Sequence, residues 1–194
     1  MPRRDPLAPR WLGCDVPPQR AGVVSTARLR VENAGAATWR STDDGGLRLA
    51  YHWLDPRGNP IVWDGERTVL ARPVRPDEAV EVELRLTAPR PPGRYRLAVD
   101  LVEEHRFWLA EIGCAPLELD VEVAPRIAAR RLGVRIHGGD DPRTRAALAT
   151  QEEPLAEVGA EVEAIAHLVA GAEPEPGWSA RLLDGHAEGY VAVG

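Results

Sequence analysis

The sequence predicts an N-terminal immunoglobulin-like antiparallel β-sandwich over residues 1–125 and a small C-terminal α/β unit of βαβαβ type over residues 126–194. Two observations predict the sandwich: apolar side chains alternate with polar ones, and turn-forming residues interrupt each alternating run. The α/β unit is predicted because the two-residue period ends after "VEVAPR" and helical spacing begins. The fold class is therefore mainly β, with an α/β part after it.

The first part contains runs in which every second residue is apolar, as expected for strands with one buried and one solvated face. In "LRLAYHW" the inward set includes Tyr51 and Trp53, which are therefore assigned to the core. The same alternation appears in "ARLRVENAG", "VEVELRL", "YRLAVDL" and "LELDVEV". Turns are predicted between the runs at "NAG", "DDGG", "DPRGNP", "WDGE", "RPDE" and "PRPPG". This spacing of short strands is typical of a sandwich of about 100 residues.

The second part begins with a short apolar strand at "GVRIH", followed by a Gly-rich turn and a helix. Asp141 is the expected N-cap of this helix, Pro142 suits its first position, and Pro154 stops it. "GAEVEAIAHLVAG" fits a strand or a helix. "PGWSARLLDGHAEG" predicts a second helix with Gly189 at the C′ position, and "YVAV" predicts a buried strand after it.

Composition excludes some classes of partner. The formal net charge is −6, which argues against a general binder of nucleic acid or anionic membranes, because such proteins carry a basic face. All 24 basic residues are Arg, a bias typical of a GC-rich genome. The start "MPRRDPLAPRWLGC" lacks the apolar segment of a signal peptide, and no run reaches the ~18–20 apolar residues that span a bilayer. We therefore expect a cytoplasmic protein without membrane insertion, in which Cys14 and Cys114 are free thiols; the alternative is that the two pair where their segments meet.

The stretch "LAYHWLDPRGNPIVWDGERTVL", residues 49–70, supplies the candidate site. His52 has the parity opposite to the core residues and is expected to face outward or toward a partner strand. Trp63, Asp64 and Arg67 fall at a turn, where an exposed indole would offer a platform to the C–H face of a sugar and the charges would pair with its hydroxyls. A structural role explains the same residues, with Arg67 paired to Asp64 and Trp63 covering the open end of the sandwich. Both interpretations stay open.

Two other polar segments offer weaker candidates. "DLVEEHRFW" contains Asp100, Glu103, Glu104 and His105 but no nucleophile or metal spacing, so a solvated strand edge is favoured over an acid/base cluster. "VRIHGGDDPRTR" has the strand–turn–helix order that binds phosphate in α/β folds. It matches no phosphate-binding motif, and its two acids would repel phosphate, so turn and capping roles are the alternative. No residue is assigned to catalysis, a cofactor or a metal.

In the first part, the segments "VENAGAATW", "LAYHWLD", "VWDGERTVL", "APRPPGRYRLAVDLVEE" and "FW" carry a resemblance to a family. Together they resemble an immunoglobulin-like accessory domain of multidomain proteins of bacterial polysaccharide metabolism, over roughly residues 20–123. The pattern N-x-G-x-x-x-W is also similar to four-tryptophan immunoglobulin-like domains. The resemblance implies a non-catalytic module that contacts a sugar chain or a protein.

In the second part, "VRIHG", "RAALATQEEPLAEV" and "AEVEAIAHLV" follow one another as strand, helix ending in Q-x-x-P-x-x-E-V, and strand. This order resembles the opening of a family-2, GT-A type glycosyltransferase, over about residues 132–194. "LLDGHAEGYVAVG" is similar to the helix and strand that precede the metal-binding D-x-D of such enzymes. Two features depart from the family: "AIAHLVAG" has no clear acidic residue for the nucleotide base, and the sequence stops where the D-x-D is expected.

These observations predict a non-catalytic protein of a carbohydrate pathway, which recognises a glycan or a protein through the sandwich. His52, Trp63, Asp64 and Arg67 are its candidate ligand contacts. One alternative is the N-terminal part of an active glycosyltransferase, which would use a nucleotide sugar with Mn²⁺ or Mg²⁺. A second alternative is a protein–protein interaction scaffold.

Overall fold

The computed structural model describes residues 5–157 and 161–194 of the chain. The chain divides into two compact units. The sandwich unit consists of Met1–Gln19, Val23–Pro89 and Gly93–Val123, of which residues 1–4 are not described. The C-terminal unit consists of Arg20–Gly22, Arg90–Pro92 and Ala124–Gly194.

The sandwich unit is built from two antiparallel sheets, as the alternating runs predict. The strands are β1 (Pro9–Asp15), β2 (Gln19–Arg20), β3 (Val24–Asn33), β4 (Ser41–Thr42), β5 (Gly45–Leu54), β6 (Pro60–Val62), β7 (Thr68–Val69), β8 (Ala79–Thr87), β9 (Gly93–Glu103), β10 (Phe107–Trp108) and β11 (Leu117–Ala124). The smaller sheet has the order β1-β3-β8. The larger sheet has the order β2-β11-β9-β5-β4, and β6 and β7 also pair with β5 while β10 pairs with β9.

The two sheets face each other across an apolar core that contains the inward residues of β5. Trp53 is fully buried and donates its indole N–H to the carbonyl of Thr87 at 2.9 Å, while the hydroxyl of Tyr51 accepts the Thr87 backbone N–H at 3.0 Å. Because Thr87 ends β8 in the other sheet, these bonds join the two layers. The assignment of Tyr51 and Trp53 to the core is confirmed, and so is the predicted antiparallel sandwich.

The elements of the C-terminal unit are β12 (Leu132–His137), α1 (Pro142–Leu148), β13 (Leu155–Glu157), β14 (Ala164–Val169) and α2 (Trp178–Ala187). Its three strands form a parallel sheet with the order β13-β12-β14. Parallel neighbours must be joined by a crossover, and α1 lies in the connection between β12 and β13. The buried apolar cluster of the unit consists of Ile127, Leu132, Ala164, Ala166 and Leu183.

The start of α1 and the end of α2 are as the sequence predicts, whereas the prediction that α1 continues to Pro154 is wrong, because the helix ends at Leu148. Asp141 caps α1 by accepting the backbone N–H groups of Arg143 and Thr144 at 2.9 and 3.3 Å, and these bonds lower the pKa of its carboxyl. The Asp141 carboxylate therefore already occupies the backbone N–H groups that a phosphate would need as hydrogen-bond donors. After α2, Gly189 has a φ of 109°, the left-handed conformation of a C′ glycine.

The structure also decides one ambiguity and corrects a further prediction. The ambiguous segment "GAEVEAIAHLVAG" forms the strand β14, although its first two residues and Val158 lie outside the described residues. The predicted buried strand at "YVAV" is wrong: residues 190–193 form no strand, and Tyr190 and Val191 are 47% and 74% exposed. An apolar run becomes a strand only where its backbone groups pair, and no pairing of this segment occurs among the described residues.

No helix in the described part of the chain is long and apolar enough to cross a membrane.

Candidate functional site

Three aromatic rings form a cluster on the side of β5 that faces away from the core. His52 lies between the core residues Tyr51 and Trp53 in sequence and therefore points to the opposite face of the strand. Its ring stacks on Trp63 with centroids 4.2 Å apart and an interplanar angle of 20°. Trp108 meets the His52 ring edge-on at 4.3 Å and the Trp63 ring at 6.2 Å. We call His52, Trp63 and Trp108 the aromatic cluster.

His52 supports Trp63 from behind and offers a ligand little surface of its own. Its side chain points outward as predicted, yet it is only 4% exposed because the two indoles cover it, whereas Trp63 remains 53% exposed. The Nδ1 atom of His52 lies against the carbonyl oxygen of Trp63, which can only accept a hydrogen bond, so Nδ1 carries the proton. Burial lowers the pKa of His52 and outweighs the hydrogen bond to Trp63, which raises it, and the nearby Arg67 charge adds to the lowering. The imidazole is therefore neutral at pH 7.

Arg67 connects the aromatic cluster to a group of carboxylates. Its Nε donates to Glu104 Oε1 at 2.9 Å, and its Nη1 lies 2.6 Å from Asp64 Oδ1 and donates to the Gly65 carbonyl at 3.0 Å. The guanidinium carbon lies 4.7 Å from the centroid of the Trp108 ring, within the range of a cation–π interaction. These contacts hold Arg67 in one orientation beside Trp63.

A charged pocket of about 570 Å³ lies beside Arg67. Arg48 forms part of its wall, donating from Nη2 to the backbone carbonyls of Thr42 and Asp43 at 3.0 and 3.2 Å. Carboxylates and guanidiniums both line the pocket, so it can donate and accept hydrogen bonds. Its lining residues are Asp43, Asp44, Arg48, Asp64, Gly65, Arg67, Glu104 and His105.

Tight backbone packing positions this site. Gly65 is buried between β6 and β7, and its N–H donates to the Tyr51 carbonyl on β5 at 2.9 Å. A Cβ atom at this position would lie 2.4 Å from that carbonyl oxygen and 2.7 Å from the Tyr51 ring. Only glycine therefore lets the turn with Trp63, Asp64 and Arg67 approach β5 so closely.

The structure brings all four sequence-predicted residues together, and it adds others. His52, Trp63, Asp64 and Arg67 lie within one contiguous site, and Arg67 pairs with Asp64 as the structural interpretation expects. Sequence reasoning did not connect Trp108, Glu104 and Arg48 to this site, which they reach through the pairing of β10 with β9 and of β9 with β5. The adjacent pairs "EE" and "FW" in the sequence could have indicated Glu104 and Trp108, but they do not show which strands lie side by side.

The segment "DLVEEHRFW" differs from its interpretation as a solvated edge. Asp100 is fully buried on β9, and its carboxylate accepts the N–H groups of Leu101 at 2.7 Å and Ala110 at 3.1 Å. Burial raises its pKa, which the two hydrogen bonds partly offset. The reason is local: Ala110 belongs to a 3-10 turn (Leu109–Ile112) that needs an acceptor beside it, so Asp100 anchors this turn.

Two thiols are further chemical candidates outside the site. Cys14 and Cys114 are both free, as predicted. Burial raises the pKa of Cys14 to about 11, so this thiol is almost entirely protonated at neutral pH and is a poor nucleophile. No group of three or more His, Cys, Asp or Glu side chains arranged for a metal ion occurs among residues 5–157 and 161–194.

No protein-family model and no curated protein matches the chain. Among solved structures, the chain is similar to the ASH / PapD-like domain of human CEP192 (PapD-like domain 7), with 14% identity and a TM-score of 0.30 over 63% of this chain and 88% of that one. It is also similar to a family 123 glycoside hydrolase from Clostridium perfringens, described for glycolipid glycan hydrolysis, with 7% identity and a TM-score of 0.32 over 68% of this chain and 26% of that one. At these values neither similarity assigns a function to the chain.

Proposed function

We propose that the sandwich unit is a non-catalytic recognition module that binds a carbohydrate chain at Trp63 and the charged pocket beside it. The observation that carries this proposal is the Trp63 indole, which is 53% exposed although its other side is stacked on His52. Large apolar side chains are usually buried, so an exposed indole held in a fixed orientation favours a contact surface.

The chemistry around Trp63 suits a sugar. A pyranose ring presents an apolar C–H face, which packs on the flat indole, and hydroxyl groups at its edges, which need hydrogen-bond partners. Asp64 and Arg67 lie beside the indole and supply an acceptor and a donor. The contacts of Arg67 with Glu104 and Asp64 fix its side chain beforehand, which lowers the entropy cost of binding.

The C-terminal unit belongs to the same proposal as a small α/β unit that resembles the opening of a family-2 glycosyltransferase. Its parallel sheet, its two helices and the capped start of α1 support this interpretation. We assign no catalytic residue and no cofactor to this chain, and a cytoplasmic location in a bacterial polysaccharide pathway stays a prediction.

The test is a glycan array probed with the full chain and with Trp63→Ala and Trp63→Phe. We expect Trp63→Ala to weaken binding at least about tenfold, because a ring–sugar contact worth more than about 1.4 kcal/mol is lost. Trp63→Phe, which keeps a smaller flat ring, should retain part of the affinity. Val69→Ala is the matched control, since Val69 is an equally exposed apolar residue (54%) on the neighbouring strand β7.

Circular dichroism and thermal melting establish whether each variant is folded. Equal glycan binding by folded wild-type protein and folded Trp63→Ala would exclude Trp63 as the contact. Absence of any saturable glycan signal for the wild-type chain would overturn the proposal. Unfolding of Trp63→Ala would return Trp63 to a structural role, in which case Trp63→Phe decides the question.

A further inference from the structure

A pair of histidines lies on the parallel sheet of the C-terminal unit, far in sequence from the aromatic cluster. His137 is the last residue of β12 and His167 lies in the neighbouring strand β14. In the register of this pair Arg135 is opposite His167 and His137 is opposite Val169. Because side chains two residues apart on a strand share a face, His137 and His167 are diagonal neighbours on the same side of the sheet.

The two imidazoles are in direct contact and accessible to solvent. His137 Nε2 lies 2.9 Å from His167 Nδ1, and the rings stack with centroids 5.2 Å apart and an interplanar angle of 19°. Both side chains are exposed. A hydrogen bond at this distance requires that one nitrogen donates while the other accepts, so the facing nitrogens are the two atoms available to a metal ion once the donor ring changes its tautomer.

We propose that His137 and His167 form an open binding site for a late first-row divalent cation such as Ni²⁺ or Zn²⁺. Neutral imidazole is a preferred ligand of these ions. With metal–nitrogen bonds of about 2.0–2.1 Å and a near-tetrahedral angle, two ligating nitrogens lie about 3.3 Å apart. The two nitrogens must therefore move apart by about 0.4 Å. Because they now face each other along one hydrogen bond, both exposed side chains must also turn, by roughly 35° for a tetrahedral angle, until both lone pairs point at the ion.

Replacement of the hydrogen bond by a bound ion balances in charge and atoms. In the hydrogen-bonded pair the donor ring carries its proton on the facing nitrogen. When the ion binds, that ring adopts its other tautomer, with the proton on the nitrogen that faces away, so two neutral rings ligate the ion and no proton needs to leave. The remaining coordination positions are filled by water or by a ligand from outside, because no third His, Cys, Asp or Glu joins the pair within the described part of the chain.

Two features define the strength and place of the site. The side chain of Arg135 projects from the same face of the sheet, opposite His167 in register, and its charge weakens the binding of a cation. The pair also lies toward the carboxyl ends of β12 and β14, the edge at which open parallel sheets bind ligands. The site is therefore a weak, solvent-open one that joins two adjacent strands.

The test is isothermal titration calorimetry of the full chain with NiCl₂ and with ZnCl₂. The wild-type chain should bind one ion, and His137→Ala and His167→Ala should each weaken that binding at least tenfold, because each variant removes one of two ligands. His105→Asn is the matched control: His105 is an exposed histidine in the sandwich unit, its φ is 63°, and asparagine tolerates that conformation, so binding should be unchanged. Arg135→Gln should strengthen binding by removing the opposing charge.

A second readout locates the ion and does not depend on affinity. Titration with Ni²⁺, which is paramagnetic, should broaden the imidazole proton resonances of His137 and His167 before those of the other three histidines. The proposal is overturned if the wild-type chain shows no saturable binding, if either folded alanine variant binds as tightly as the wild type, or if the broadening begins at His52, His105 or His186.

Discussion

At the scale of single residues, the exposed indole of Trp63 is oriented by groups that a ligand does not touch. The His52 ring lies 4.2 Å behind it, and His52 Nδ1–H donates to the carbonyl of Trp63 itself. The His52 side chain therefore holds both the ring and the backbone of Trp63. A platform fixed in this way loses little conformational entropy when a ligand packs on it.

The protonation of His52 should affect stability. Because its pKa in the folded protein is lowered, protons bind more readily to the unfolded chain below about pH 6.5. The contribution of His52 to stability is therefore complete above about pH 6.5 and is lost as the pH falls toward the lowered pKa. Urea unfolding at about pH 7.5 and about pH 5.5 measures this loss.

His52→Phe is the variant that separates this effect from other titrations. It keeps a flat ring between Trp63 and Trp108 but cannot be protonated, so its free energy of unfolding should fall less on acidification than that of the wild type. The other four histidines are common to both proteins and cancel in the comparison. Equal losses for the two proteins would show that His52 is not held neutral by the fold.

At the scale of elements, local periodicity predicted much of the sandwich. The alternation in β5 placed Tyr51 and Trp53 in the core and His52 on the opposite face, because side chains on a strand alternate between two faces. The same logic identified the long strands β3, β8, β9 and β11. The cap of α1 at Asp141 was readable because the side chain and the backbone that it caps are adjacent in sequence.

Contacts that depend on the pairing of strands far apart in the chain were not predictable from one sequence. Trp108 reaches His52 only because β10 folds back on β9 and β9 pairs with β5. Asp100 belongs to an alternating run, yet it is buried because a 3-10 turn needs its carboxylate. The apolar "YVAV" has the composition of a strand, but composition does not supply a partner for its backbone. The site residues on one turn were therefore found, and those contributed by other strands were missed.

The turn that carries the site should be sensitive to the size of residue 65. Gly65→Ala places a Cβ atom 2.4 Å from the Tyr51 carbonyl oxygen, so the turn must move away from β5. We expect the free energy of unfolding to fall by about 1–3 kcal/mol, the usual cost of overpacking. Chemical denaturation measures the change. Glu66→Ala, at the exposed neighbouring position whose ion pair with Arg85 is solvated, should change stability by less than about 1 kcal/mol.

Gly65→Ala should also displace Trp63, which lies in the same turn. If Gly65→Ala unfolds at the same denaturant concentration as the wild type, the close approach of the turn to β5 does not constrain the site.

At the scale of the whole molecule, the two units carry different features. The aromatic cluster and the charged pocket lie entirely within the sandwich unit, whereas the histidine pair and the parallel sheet lie within the C-terminal unit. Each unit has its own buried core, as expected for domains of this size. The proposed glycan recognition and the proposed metal binding are thus separable, and variants in one unit should leave the property of the other unchanged.

The central claim, that Trp63 is the surface on which a sugar packs, is tested most directly by the indole resonances of the six tryptophans. In a ¹H–¹⁵N correlation spectrum of the full chain, titrated with an oligosaccharide selected on the array, the Trp63 signal is identified by its loss in Trp63→Phe. If the sugar packs on Trp63, the Trp63 indole signal shifts most and the signals of the buried Trp39 and Trp53 do not move. An oligosaccharide that binds to saturation while the Trp63 indole stays unshifted would contradict this claim.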